Sequence, residues 1–139
     1  MNLGEYNMCI FCDIIEGKIP SYKIYEDEKT YAFLDISCDV IGHTLVIPKK
    51  HFDSLIDISA EDLSSVMNTV QKISRHYIND CGFDGVNLVN CCGKEAEQSV
   101  FHMHMHILPR KSGDNIKVYP TLAKLDLNLE SICNELKMD

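Results

Sequence analysis

Residues 101–110 read FHMHMHILPR, with a histidine at every second position from 102 to 106 and methionine between them. A β-strand sends successive side chains to opposite faces, so the spacing predicts His102, His104 and His106 on one face and Met103, Met105 and Ile107 on the other. The apolar face can enter a core. The polar face offers three imidazoles, groups that titrate at about 6.5, ligate metals, transfer protons and attack phosphorus when neutral. If His102 is drawn to a metal, His104 is held in mid-strand by its neighbours, and that position favours it as the nucleophile.

A second set of reactive residues lies far away in the chain. Cys9-Ile10-Phe11-Cys12 is a CxxC without a second CxxC, a pattern open to a redox pair, two buried thiols or half of a metal site. Structural zinc takes four Cys or His ligands, and His51 after VIPKK with His102 after SVF would complete a Cys2His2 set. The competing arrangement uses His102 and His104 as an HxH pair, with His51 or His106 as third ligand and water in the open position, which would be a catalytic zinc. It leaves Cys9 and Cys12 without a partner and has no carboxylate base close in sequence.

The elements that must hold these residues follow from patterning. Segments 21–28, 30–37, 43–50, 85–90 and 99–108 are rich in β-branched and aromatic residues and are broken by turn formers, which predicts five strands. The links 38–42 and 91–98 are too short for a crossover helix, so the strands they join run antiparallel. Leu63, Val66, Val70, Ile73 and Tyr77 keep helical spacing within 59–80, with Ser59 as cap and Cys81-Gly82 as stop. Shorter helices are expected at 12–16 and 128–137, the latter with Leu129, Ile132, Cys133 and Leu136 as a stripe. The class expected is α+β, with a mainly antiparallel five-stranded sheet, in one domain over 1–139.

Composition narrows the partners. The 139 residues carry 45% hydrophobic and 24% charged side chains and a net charge of −8. That balance opposes a nucleic-acid groove or an anionic membrane surface, both of which need clustered positive potential, so any phosphate must be held locally. No apolar run approaches the roughly 20 residues that span a bilayer, and MNLGEYN lacks signal-peptide features, so the expectation is a cytoplasmic protein. The seven cysteines are odd in number and without an export signal, which favours metal ligation and buried thiols over a disulfide framework.

In order, CIFCDIIEGKIPSYKIYED, AFLDIS, GHTLVIPKKH and QSVFHMHMHILPR resemble the histidine triad (HIT) family, in its branch of small nucleotide-binding hydrolases related to the Hint proteins. The resemblance covers about residues 8–110 and leaves 111–139 as a C-terminal extension. It implies a homodimer with a purine nucleotide pocket on each subunit. It also implies release of a nucleoside monophosphate from a phosphoramidate, acyl-adenylate or related compound through a nucleotidyl-histidine. By the same resemblance His104 is the nucleophile, and His106 and Ser99 assist at the phosphate. Asp35 would bind the ribose hydroxyls, Ile36 would touch the base with Phe11 and Phe33 as walls, Asn90 would hold ribose and phosphate, and Gln98 would meet the phosphate. Cys9, Cys12, His51 and His102 match the ligands of zinc-binding bacterial members.

The sequence departs from the family pattern twice, at Glu97, where glycine is usual, and at Cys91-Cys92, which replace a small polar pair. A carboxylate near a phosphate repels it. Two other functions therefore stand beside the purine nucleotide hydrolase or phosphoramidase: a dinucleoside polyphosphate hydrolase, and a zinc-stabilised nucleotide-binding regulatory module with little turnover. His43 and His76 are expected to be structural or solvated.

Overall fold

The structure, a computed structural model, describes residues 9–139. The MNLGEYN segment read above for signal features lies outside the described residues. Helix α1 is Ile10–Ile15, followed by strands β1 (Lys23–Glu26), β2 (Thr30–Leu34) and β3 (Thr44–Pro48), helix α2 (Ala60–Asn79), strands β4 (Gly85–Val89) and β5 (Met105–Arg110), and helix α3 (Leu129–Leu136). The strands form one sheet in the order β1-β2-β3-β5-β4, every neighbouring pair antiparallel. The α+β class expected from patterning is the one observed.

Helix α2 forms because its apolar residues repeat at helical spacing and its first turn is capped twice. The Asp62 amide donates to the Ser59 hydroxyl at 3.1 Å, and that hydroxyl donates back to the Asp62 carboxylate at 2.7 Å. Its inner stripe, Val66, Val70, Ile73 and Tyr77, packs with Ala32, Val46 and Ile107 on one face of the sheet. Each fully buried Val or Ile among them contributes about 1.5–3 kcal/mol. On the other face Phe11 and Ile14 of α1 cover Tyr31, Phe33, Leu45 and Ile47. Phe33 is therefore core as well as a neighbour of α1.

Helix α1 starts two residues before the expected 12–16, because Cys9 acts as its cap, accepting from the Cys12 amide at 3.3 Å. Both thiols are thereby brought to the same end of one helical turn.

The larger correction concerns the last strand, expected over 99–108 and observed at Met105–Arg110. Pairing with β3 begins only at Val46↔Met105. Pro48 ends β3 and has no N–H with which to extend a ladder. Its carbonyl accepts from His102 Nε2 at 2.8 Å, while the Met103 amide donates to the Phe52 carbonyl at 2.7 Å. His102 and His104 thus precede the strand and are held by a neighbouring loop, and only His106 lies in it. Met105 and Ile107 do face α2 as alternation requires.

Beyond β5, Arg110 anchors the departing chain through Asp114, Asn87 and the Ile116 carbonyl. Helix α3 follows within the expected 128–137, with Leu129 and Leu136 exposed. Among the described residues no helix is long and apolar enough to cross a membrane.

Candidate functional site

Two clusters flank His104. In the first, one atom each from Cys9, Cys12, His51 and His102 lie within 4.8 Å of one another. His102 Nδ1 is 3.4 Å from Cys9 Sγ and 3.5 Å from Cys12 Sγ, and His51 Nδ1 is 3.3 Å from Cys12 Sγ. The opposite ring nitrogens are occupied: His102 Nε2 donates to the Pro48 carbonyl, and His51 Nε2 lies 2.9 Å from the Asp53 carboxylate. Such outer partners fix the tautomer that turns the Nδ1 lone pair inward. Burial and the neighbouring Cys9 push the Cys12 thiol up to about 12, and burial pushes His102 down to about 4. Two thiols and two imidazoles converging on one point are the donor set that a zinc ion satisfies.

The second cluster lies at the other end of the segment. His43 Nε2 and His106 Nδ1 are 2.9 Å apart, and His43 Nδ1 is 2.7 Å from Asp39 Oδ1. Asp35 Oδ2 approaches His43 Nε2 at 3.8 Å. His43, expected to be structural or solvated, is buried and bonded on both ring nitrogens, which makes it structural and places it against His106. The signal was present in the sequence, because His43, Leu45 and Ile47 alternate onto one face and Leu45 pairs with His106. Asp39 completes the chain Asp39–His43–His106. His76 is exposed, as expected, and pairs with Asp80 at 2.9 Å.

Between the clusters, His104 is buried. Its Nδ1 donates to the His102 carbonyl at 2.7 Å, leaving the lone pair on Nε2. Burial lowers its pKa against the opposing pull of that hydrogen bond and of Asp35. The Phe11 ring stands edge-on to it with centroids 5.2 Å apart. A neutral, tautomer-fixed imidazole is what nucleophilic attack requires.

The remaining residues fall around this line. Asp35 follows β2 half-buried, its amide donating to the His43 carbonyl at 2.8 Å and its carboxylate accepting from the Ser37 amide at 2.8 Å. Ile36 is exposed beside it. Asn90 Nδ2 donates to the His104 carbonyl at 2.9 Å, which anchors the triad segment to the end of β4. Gln98 is buried, with its amide nitrogen bonded to the carbonyls of Asp53 and Val100 and its oxygen to the Gly93 amide. All of its strong hydrogen-bonding groups therefore hold the loop. Ser99 is exposed next to it. Glu97 takes the left-handed conformation, φ 68, at the position where the family has glycine.

An antiparallel α+β sheet with an interior strand that leads from a run of alternating histidines defines the histidine triad class. The HIT domain family model matches residues 16–113 of this chain, and the chain belongs to the HIT family. It is 38% identical over 113 residues to the adenosine 5'-monophosphoramidase HNT1 of Candida albicans, covering 78% of this chain and 74% of that protein. It is 35% identical over 130 residues to the adenylylsulfatase HINT3 of Arabidopsis thaliana, covering 94% of this chain and 66% of that protein. A zinc-bound histidine triad family protein from Mycobacterium smegmatis superposes with a TM-score of 0.77 at 40% identity, covering 81% of each chain.

Proposed function

We propose that the protein is a hydrolase that releases a purine nucleoside monophosphate from a phosphoramidate or related adenylate, by way of a covalent nucleotidyl-histidine. The observation that carries this reading is His104: buried, with burial lowering its pKa, and donating Nδ1–H to the His102 carbonyl. Nε2 then attacks the α-phosphorus, the bond to the leaving group breaks, and the leaving group departs with a proton taken from solvent. Water next attacks the same phosphorus and returns a proton to solvent, the P–N bond to His104 breaks, and the monophosphate leaves. One hard displacement becomes two easier ones.

His106 meets a phosphate oxygen, with His43 and Asp39 behind it as positioning residues, and Ser99 serves the phosphate beside it. Asp35 and Asn90 take the ribose, Ile36 and Phe11 the base. Gln98, with its amide committed to Asp53, Val100 and Gly93, holds the loop that presents Ser99. Zinc at Cys9, Cys12, His51 and His102 ties α1 to the triad segment and plays a structural part. The relatives named as a phosphoramidase and an adenylylsulfatase support this substrate class, and the same reading includes a homodimer.

The test compares kcat/KM for an adenosine phosphoramidate and a dinucleoside tetraphosphate on the purified protein. The expected result is preference for the phosphoramidate. Preference for the tetraphosphate would transfer the function to dinucleoside polyphosphate hydrolysis. Nucleotide binding without turnover of either would make the protein a regulatory module, a reading that Glu97 favours.

A further inference from the structure

We propose that Asp35, His43 and His106 form a second metal site, which takes a divalent transition-metal ion at the place where the nucleotide binds. One ligand atom from each residue lies within 4.8 Å of the other two. The two imidazole nitrogens are 2.9 Å apart and the carboxylate oxygen is 3.8 Å from one of them. Two imidazoles and one carboxylate with further positions open form a facial ligand set for Zn2+, Co2+, Fe2+ or Mn2+. The cluster contains no sulfur, which separates its chemistry from that of the Cys9–Cys12 set.

Two features make this more than a chance grouping. His43 is held as a metal ligand is held, with Nδ1 against the Asp39 carboxylate at 2.7 Å, so the Nε2 lone pair faces His106 and Asp35. A carboxylate behind a ligating histidine fixes the ring and raises its basicity. The backbone is also held on both sides there, because His106 lies in β5, paired with β3 and β4, and His43 immediately precedes β3, while the Asp35 amide is bonded to the His43 carbonyl at 2.8 Å. For an ion to enter, the proton between His43 Nε2 and His106 Nδ1 moves to His106 Nε2. This is a tautomer exchange with no net proton released.

The ion would occupy Asp35 and His106, the ribose and phosphate contacts of the proposed nucleotide complex. Metal and nucleotide would then exclude each other. That exclusion rests on the nucleotide reading, whereas the metal site itself does not.

The experiment adds Co2+ to zinc-loaded protein and follows the visible d–d bands. One further equivalent should bind and give a spectrum without thiolate-to-cobalt charge transfer. Asp39→Asn, a half-exposed position, should weaken it by about 10- to 100-fold, and His43→Gln should abolish it while His76→Gln leaves it unchanged. Absence of a further equivalent, a thiolate band, or unchanged affinity in Asp39→Asn would each overturn the site. Asp39→Asn keeps the test valid even if the buried His43→Gln variant fails to fold. Adding AMP separates the two readings. Displacement of cobalt supports mutual exclusion, whereas cobalt that stays bound beside bound AMP upholds the metal site and overturns the nucleotide placement.

Discussion

His102 and His106 stand four residues apart on one segment, and burial pushes each of them down to about 4. Their surroundings nevertheless give them different chemistry. His102 turns Nδ1 toward two sulfurs and gives Nε2–H to a main-chain carbonyl. His106 meets another histidine, which leans on a carboxylate. Burial makes both imidazoles neutral, and the neighbours decide whether the lone pair faces soft donors suited to zinc or enters a hydrogen-bonded chain. His104, between them, uses neither set and keeps Nε2 free.

The largest effect is expected at His104, between the two clusters. His104→Ala should lower turnover by ~10³-fold or more while nucleotide binding survives. Steady-state rates with nucleotide binding by calorimetry would check this, and near wild-type turnover would move the nucleophile to His106. Next in size, Cys9→Ser with Cys12→Ser should remove metal from the His102 end and lower Tm by roughly 10 °C, leaving His43 and His106 paired. Metal analysis beside a thermal melt reads both effects, and stoichiometric zinc retained by the double variant would refute the Cys2His2 assignment.

At the other end, Asp35→Asn should raise KM for a ribonucleotide about tenfold or more with kcat little changed, since charge-assisted bonds are worth about 1.5–3 kcal/mol each. A 2′,3′-dideoxy substrate should lose far less, and equal losses on both would show that Asp35 does not read ribose.

The shared burial can be tested by pH. The folded protein holds His106 at about 4, and the unfolded chain holds it at about 6.5. Between these values the unfolded state binds more protons, so stability rises with pH across the window and is lost as pH falls through it. Urea midpoints at pH 7 and pH 5, taken without added metal, should therefore differ more for wild type than for His106→Gln, which keeps Cys9, Cys12, His51 and His102. The acid limb of kcat/KM should lie below the free-imidazole value, because burial lowers His104 as well.

Smallest is Glu97→Gly, which relieves a left-handed φ of 68. It should gain about 0.5–1 kcal/mol in chemical denaturation, the relief of strain exceeding the entropy that glycine adds to the unfolded chain.

Much of this architecture is legible in the residues. The stripe from Leu63 to Tyr77 marks α2, the short links force antiparallel pairing, and the order of motifs points to the family. The start of β5 is not legible, since SVFHM has strand composition, and its exclusion from the ladder comes from Pro48 and a bond to the Phe52 carbonyl. Local patterning cannot see a tertiary partner of that kind. His43 was within reach, because its parity in GHTLVIP places it with Leu45, but only once β3 and β5 are known to be neighbours. The roles assigned to Gln98 and Ser99 come from motif order, and sequence carries no record that the Gln98 amide is already bonded on every side.

Strand order has a kinetic meaning. β1, β2 and β3 join through short turns, whereas β5 must insert between β3 and β4 after both have been laid down. The contacts it completes close very long loops, with His43 and His106 separated by 63 residues and Cys9 and His102 by 93. Such closures carry the largest entropy cost and are reached late. Until β5 docks, neither histidine cluster exists, so a partly folded chain presents neither set of converging side chains.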